Sequence, residues 1–336
     1  MKFGQYELLE RIAVGGMAEV YRGRVAGAEG FEKLVAIKRV LPEYARDERF
    51  ISMLLTEARI HSALSHRNIV QIHDLGISED GEYFIVLEYV EGHDLRAVME
   101  AATALGVQIP DSLALHIAYE LAQALHFAHE LKDADGHPLG IVHRDVSPNN
   151  VLVSARGEVK LFDFGIVKAE GRVTKTQHGV VKGNVSFMSP EQARGGEVDA
   201  RADLFSMGLV IFYCLTGEVL YRGNTTYELL VRAATGPDTE ELARIAALPG
   251  PCAEIVGRAL RVDPAERYQT AGEFAAALLP YITGAAAEVL HLMRDLLTVE
   301  LQQEEARFAS VVPAGDRAGK AGAAPPGTQV MISRRS

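Results

Sequence analysis

The hydrophobic pattern changes character near residue 90. From Tyr6 to about Val90, short β-favouring runs are punctuated by glycine: YELLERIAV, EVYRGRV, LVAIKRVL, IVQIHDLGI and EYFIVLEYV. One helical interval interrupts them, roughly Glu48 to Ala63, where Phe50, Met53, Leu54, Ile60 and Leu64 recur at spacings of three or four. These runs predict a small sheet carrying one main helix. After EGHDL at 91–95 the period lengthens, and the alanine- and leucine-rich segments 112–131 and 202–217 predict a larger, mostly helical lobe. The expected class is α+β, with lobes over 1–90 and 91–284.

Beyond Pro280, EVLHLMRDLLTVELQQEEARF groups its leucines, valines and methionine on one side and its acids and glutamines on the other, predicting an amphipathic helix over 285–310. Residues 311–336 are rich in Ala, Gly and Pro without periodicity and read as a flexible tail. The apolar stripe must be covered. Docking on the chain's own surface is the expectation, and self-association through this helix is the alternative.

Composition narrows the function classes. A chain of 336 residues, 48% hydrophobic and 24% charged, has room for two lobes and a sizeable core. Its charge balance, 34 − 45 = −11, argues against a dedicated nucleic-acid partner, which needs a basic face. Two cysteines, Cys214 and Cys252, sit in apolar surroundings and support neither a disulfide framework nor a cysteine zinc site. The start, MKFGQYELLE, lacks the apolar core of a signal peptide, and no run reaches the ~18 apolar residues of a membrane span. A cytoplasmic chain without a membrane partner is therefore expected.

Four stretches carry candidate chemistry. In IAVGGMAEVY, Gly15 and Gly16 lie between two predicted strands, where a tight hairpin lets backbone amides approach phosphate oxygens. Against GxGxxGxV only the middle glycine matches, Ala13 and Ala18 replacing the outer two, so this stretch alone is weak. In VAIK, alternation turns Ala36 and Lys38 to one side and Val35 and Ile37 to the other. A lysine so placed can hold phosphates if a carboxylate fixes it, and Glu57 on the predicted helix is the candidate, although either residue taken singly reads more readily as a solvated surface group. In HRDVSPNN, Asp145 is spaced to orient a hydroxyl nucleophile and Asn150 to offer an oxygen to a divalent cation. In LFDFG a hydrophobic strand ends in Asp163, whose carboxylate can bridge metal and phosphates, and Gly165 lets the chain turn away.

Taken in order, GGMAEV, VAIK, Glu57, HRDVSPNN, DFG, SPE at 189–191, DLFSMG at 203–208 and DPAERY at 263–268 resemble the protein-kinase series, in its bacterial eukaryotic-like serine/threonine branch, from about Tyr6 to Tyr281. The resemblance implies a bilobal kinase-like fold that uses ATP with Mg2+, or Mn2+, to phosphorylate Ser/Thr hydroxyls of a protein substrate. It further implies that Lys38 holds the α- and β-phosphates and pairs with Glu57, that Asp145 is the catalytic aspartate, and that Asn150 and Asp163 bind the metal. ATP would lie among Ala13, Val14, Gly15, Gly16, Met17, Ala18, Val20, Ala36 and Leu152, with Leu87 as gatekeeper, Glu88, Tyr89 and Val90 as hinge, and Asp94 at the ribose. Glu191 and Arg267 would form the ion pair that pins the substrate segment, and Asp203 would brace the catalytic loop. SPE and the distal arginine separate the pattern from small-molecule kinases.

Two positions around Asp145 depart from the family. Ser147 stands where the branch carries a lysine, and the threonine that joins it there falls on Asn184. A charged hydrogen bond is worth about 1.5 to 3 kcal/mol, against at least ~8 kcal/mol of total acceleration, so turnover is expected to survive with Ser147 and Asn184 as a neutral network around Asp145. A pseudokinase scaffold is the alternative, and the complete set Lys38, Glu57, Asp145, Asn150 and Asp163 argues against it. Arg144 beside Asp145 points to control by phosphorylation, with Thr174 and Thr176 as autophosphorylation candidates and Ser186 ranked lower. His116, His126 and His129 share one helix, but no carboxylate or cysteine completes a metal set there, so they read as packing residues.

Overall fold

Strands β1 (Lys2–Phe3), β2 (Tyr6–Val14), β3 (Ala18–Ala26) and β4 (Glu32–Val40) precede helix α1 (Glu48–Ser62), after which come β5 (Ile72–Ile77) and β6 (Tyr83–Glu88). The computed structural model describes residues 2–15, 18–27, 32–45, 47–164, 185–289 and 291–293, without the side chains of Lys2, Glu48, Arg49, Met53 and Glu57. All sheet neighbours are antiparallel, in the order β1-β2-β3-β4-β6-β5. The alternation in VAIK works as expected: Val35 and Ile37 pack with Phe3, Tyr6, Phe84 and Val86 on one face. On the other, Val40 and Ile85 meet Phe50, Ile51, Leu54 and Ala58 of α1. The helix thus seats along Ile51, Leu54 and Ala58, turning the expected stripe slightly, and Ile60 is only partly buried.

The chain enters the large lobe through β7 (Gly92–Asp94), which joins β8 (Val151–Ser154) and β9 (Val159–Leu161) in a three-stranded sheet. A Cβ at position 92 would lie 2.1 Å from the Val153 carbonyl oxygen, so only glycine allows this pairing. Helices α2 (Leu95–Ala104), α3 (Asp111–His129) and α5 (Ala200–Thr216) form the core. Every residue of α5 from Ala202 to Cys214 is buried, as befits a helix apolar on all sides. It starts at an Asp199 side-chain cap and ends at Gly217, φ +70°. Around it lie α4 (Pro190–Ala193), α6 (Thr226–Thr235), α7 (Thr239–Ala246), α8 (Pro251–Ala259) and α9 (Ala271–Leu278).

Ala285, Val289 and Met293 are buried at a spacing of four, and Glu288 accepts a 2.6 Å hydrogen bond from Ser112 of α3. The start of the expected C-terminal helix is therefore seated on the large lobe. Its continuation and the expected tail, 294–336, lie outside the described residues. Among the described residues no single helix is long and apolar enough to cross a membrane.

Candidate active site

The loop carrying Asp145 is held from below. Asp203, fully buried in the first turn of α5, accepts the backbone N–H groups of His143 and Arg144 at 2.8 Å each and the Nε2 of His129 at 2.8 Å. Burial opposes its charge, but the His129 hydrogen bond and the two N–H groups outweigh that and hold the carboxyl below the usual range. This anchoring sustains a left-handed backbone at Arg144, φ +64°. His143 is fully buried; its Nδ1 accepts the Asp145 N–H at 3.2 Å and its Nε2 donates to the Phe162 carbonyl at 3.1 Å, as a neutral ring must. Burial pushes its pKa down, in keeping with that assignment.

Asn150 closes the turn Pro148–Asn150, its Nδ2 donating to the Asp145 carbonyl at 2.8 Å. The side-chain carbonyl oxygen is left as the atom suited to a hard cation. Asp163 follows β9 with φ +59° and forms an ion pair with Lys38 across the cleft. Burial raises its pKa, but the Lys38 ammonium prevails and holds it below the carboxylate range. Asp145, Asn150, Asp163 and Lys38 thus converge, and a carboxylate with an amide oxygen is a donor set fitted to magnesium or manganese.

The small lobe supplies the roof. Val20 pairs with Lys38, and Ala36 with Leu87, so these four side chains share one face of the sheet above the cleft. The Gly15 N–H donates to the Ala18 carbonyl at 2.8 Å, closing the hairpin between Val14 and Ala18, while Gly16 and Met17 lie outside the described residues. Glu57 is on α1, but its side chain lies outside them too, so its pairing with Lys38 is not described. At the end of β6, Glu88 receives Lys160 Nζ at 2.9 Å, tying the strand that leads into Tyr89 and Val90 to β9. Asp94 caps α2 through the Ala97 N–H at 2.9 Å and lies opposite Leu152 of β8.

On the far side of Asp145, Arg267 is 1% exposed and grips Glu191 through both nitrogens, at 2.7 and 2.8 Å. Ser189 and Gln192 form a capping box on α4, and the Gln192 amide also reaches the Arg144 carbonyl at 2.8 Å. Gly165, Thr174, Thr176 and Asn184 fall within 165–184, outside the described residues. Ser147 is buried, and its Oγ has no hydrogen-bond partner among the described residues.

Comparison with known proteins gives this geometry a family. The family model "Protein kinase domain" matches residues 6–278. The chain belongs to the protein kinase family. It is 40% identical over 281 residues to the tyrosine-protein kinase MasK of Myxococcus xanthus, covering 84% of this chain and 43% of that protein. Against the serine/threonine-protein kinase PrkC of Bacillus subtilis it is 37% identical over 273 residues, covering 81% and 40%. The chain therefore spans less than half the length of these curated relatives. The crystal structure of the Mycobacterium tuberculosis PknI kinase domain is similar to it with a TM-score of 0.59 at 26% identity, covering 84% of this chain and 98% of that one. Membership of the kinase family implies ATP and a divalent metal.

Several supports of the site carry no motif of their own. His129, expected as a packing residue, hydrogen-bonds the Asp203 brace. Gln192 was legible, since S-x-x-Q before a helix is the capping-box signal. His61 of α1 had no signal: it is 4% exposed and its ring lies tilted against Phe164, centroids 5.2 Å apart, with His143 tilted against the same ring at 4.5 Å.

Burial lowers the pKa of His61 to about 4, with Asp163 opposing that shift and His143 and Lys38 adding to it. A buried neutral histidine binds its proton later than the unfolded chain does, so its contribution to stability is lost as pH falls from about 6.5 toward 4. The kinase should lose about 2 kcal/mol more than its His61→Phe variant between about pH 7 and pH 4.5. Urea unfolding of both proteins at the two pH values checks this.

Proposed function

We propose that the chain transfers the γ-phosphate of ATP to serine or threonine hydroxyls of protein substrates and phosphorylates its own loop between Asp163 and Glu191. The observation that carries the reading is the Lys38–Asp163 ion pair, formed between lobes within reach of the loop that bears Asp145 and Asn150. In this reading Lys38 neutralises phosphate charge, Asp145 orients the acceptor hydroxyl and takes its proton, and Asn150 with Asp163 holds magnesium, or manganese in its place. The bound cation would supply charge neutralisation on the phosphates. Leu87 lies at the adenine, Glu88, Tyr89 and Val90 form the hinge, and Asp94 meets the ribose.

Among the described residues no carboxylate pairs with the Arg144 guanidinium, which supports a role for it as receptor of a phosphate on Thr174 or Thr176. The free, buried thiols Cys214 and Cys252 suit a reducing cytoplasm. The buried stripe from Ala285 to Met293 favours docking over self-association.

A tyrosine hydroxyl as acceptor is a second reading, favoured by the likeness to MasK and by the missing lysine at Ser147. Incubation with labelled ATP and magnesium, followed by acid hydrolysis and peptide mapping, separates the readings. Phosphothreonine from the peptide holding Thr174 and Thr176 is expected. Phosphotyrosine would transfer the assignment to the second reading, and no incorporation would leave a pseudokinase scaffold.

A further inference from the structure

Arg96 stands in the first turn of α2, where the helix dipole disfavours a cation. What it gains there is a 2.8 Å hydrogen bond from its Nε to the Asn149 side-chain oxygen, in the turn between Asp145 and Asn150. Among the described residues the carboxylate within 4 Å is Glu100, which touches Nη1 at 3.7 Å and is itself 66% exposed. Such a contact is weak and easily exchanged. One guanidinium edge is therefore fixed on the catalytic turn, and the rest stays accessible, the side chain being 36% exposed.

Burial pushes the Tyr213 phenol up, with Arg96 the strongest charge pulling the other way and Glu100 adding to the rise. Tyr213 in turn packs edge-on against Phe187, 6.1 Å away, two residues before the Ser189 cap. Arg96 thus touches the Asp145 turn directly and is linked only through Tyr213 and Phe187 to the segment that Glu191 and Arg267 pin. In the phosphotransfer reading, a peptide that presents its hydroxyl to Asp145 lies beside the turn that Arg96 touches.

We propose that Arg96, oriented by Asn149, selects protein substrates that carry an anionic side chain, carboxylate or phosphoryl, close to the acceptor hydroxyl. The inference rests on the phosphotransfer reading above and deepens it by naming a substrate class. Arginine suits this task because its planar fork offers paired N–H donors to either group. Asn149 holds one edge and so reduces the side-chain freedom lost on binding.

The test uses peptide libraries around a fixed serine or threonine, with Asp, Glu, phosphoserine, Gln or Lys at one flanking position at a time, labelled ATP and magnesium. At one or more positions the wild type should prefer the anionic residues over Gln by about tenfold, a charge-assisted contact's worth. Arg96→Gln should reduce that preference below about twofold, and Arg96→Glu should shift it to Lys, with autophosphorylation and KM for ATP unchanged. Removing a cation from a helix start should leave Tm equal or slightly higher, so lost preference is not lost folding. Asp and Glu enriched without phosphoserine identifies the carboxylate as the ligand, and the reverse identifies a previously phosphorylated site. A flat library beside intact autophosphorylation overturns the Arg96 assignment alone, as does an acid preference that survives Arg96→Gln. No autophosphorylation overturns both readings.

Discussion

Asp163→Asn is expected to lower phosphotransfer at least ~10³-fold while leaving the fold intact, because it removes charge where the reaction concentrates it. The carboxylate is opposed by burial and kept ionised by Lys38, so the substitution removes its charge and reduces the contact with Lys38 to a neutral acceptor. The shape does not change. Position 163 has φ +59°, a left-handed conformation that asparagine adopts more readily than most residues, so the backbone should hold. Initial rates at saturating ATP, set beside thermal unfolding of the same samples, would separate lost chemistry from lost structure. A variant with more than about a tenth of the wild-type rate would remove Asp163 from the account.

Arg267→Ala is expected to cost about 3 to 5 kcal/mol of stability, the range for breaking one partner of a buried pair. Its guanidinium does more than meet Glu191. It also donates to the carbonyls of Arg201, Arg261 and Val262 at 3.1, 2.8 and 3.0 Å and lies 4.8 Å over the Phe205 ring. Alanine would leave these acceptors unmet and a carboxylate half-buried without its cation. Burial raises the Glu191 pKa, but the Arg267 hydrogen bonds hold it below the usual range. Its share of stability is therefore present at neutral pH and lost as pH falls through that depressed value. Denaturant unfolding near pH 7 should show the midpoint falling with little change in slope. Arg267→Lys should recover only part, since one ammonium cannot reach both carboxylate oxygens and three carbonyls.

Much of the small lobe was legible because its elements are long enough to show a period. The run YELLERIAV is β2 from end to end, and the phase of VAIK placed Lys38 with Ala36 on the cleft face. In the large lobe, β7 to β9 are three or four residues each, too short for alternation to register. The motif residues were legible as types at fixed spacings. Of their supports, the Asp203 brace and the Glu191–Arg267 pair came with the resemblance, but His129 and Asn149 did not, because their contacts join positions far apart in the chain. His129 and Asp203 are 74 positions apart, and Arg96 and Asn149 are 53. Nothing local marks such partners. The helical period predicts α1, but which of its sides faces the sheet depends on β4 and β6, and Ile51 and Ala58 take that side rather than Ile60.

The claim that Lys38, Asn150 and Asp163 serve one metal-bound triphosphate is tested most directly by calorimetric titration of ATP, with and without magnesium, into the wild type and Asp163→Asn. Magnesium should tighten ATP binding by the wild type about tenfold or more and change that of the variant little. Equal magnesium dependence in the two proteins, or no ATP binding by the wild type, would contradict it.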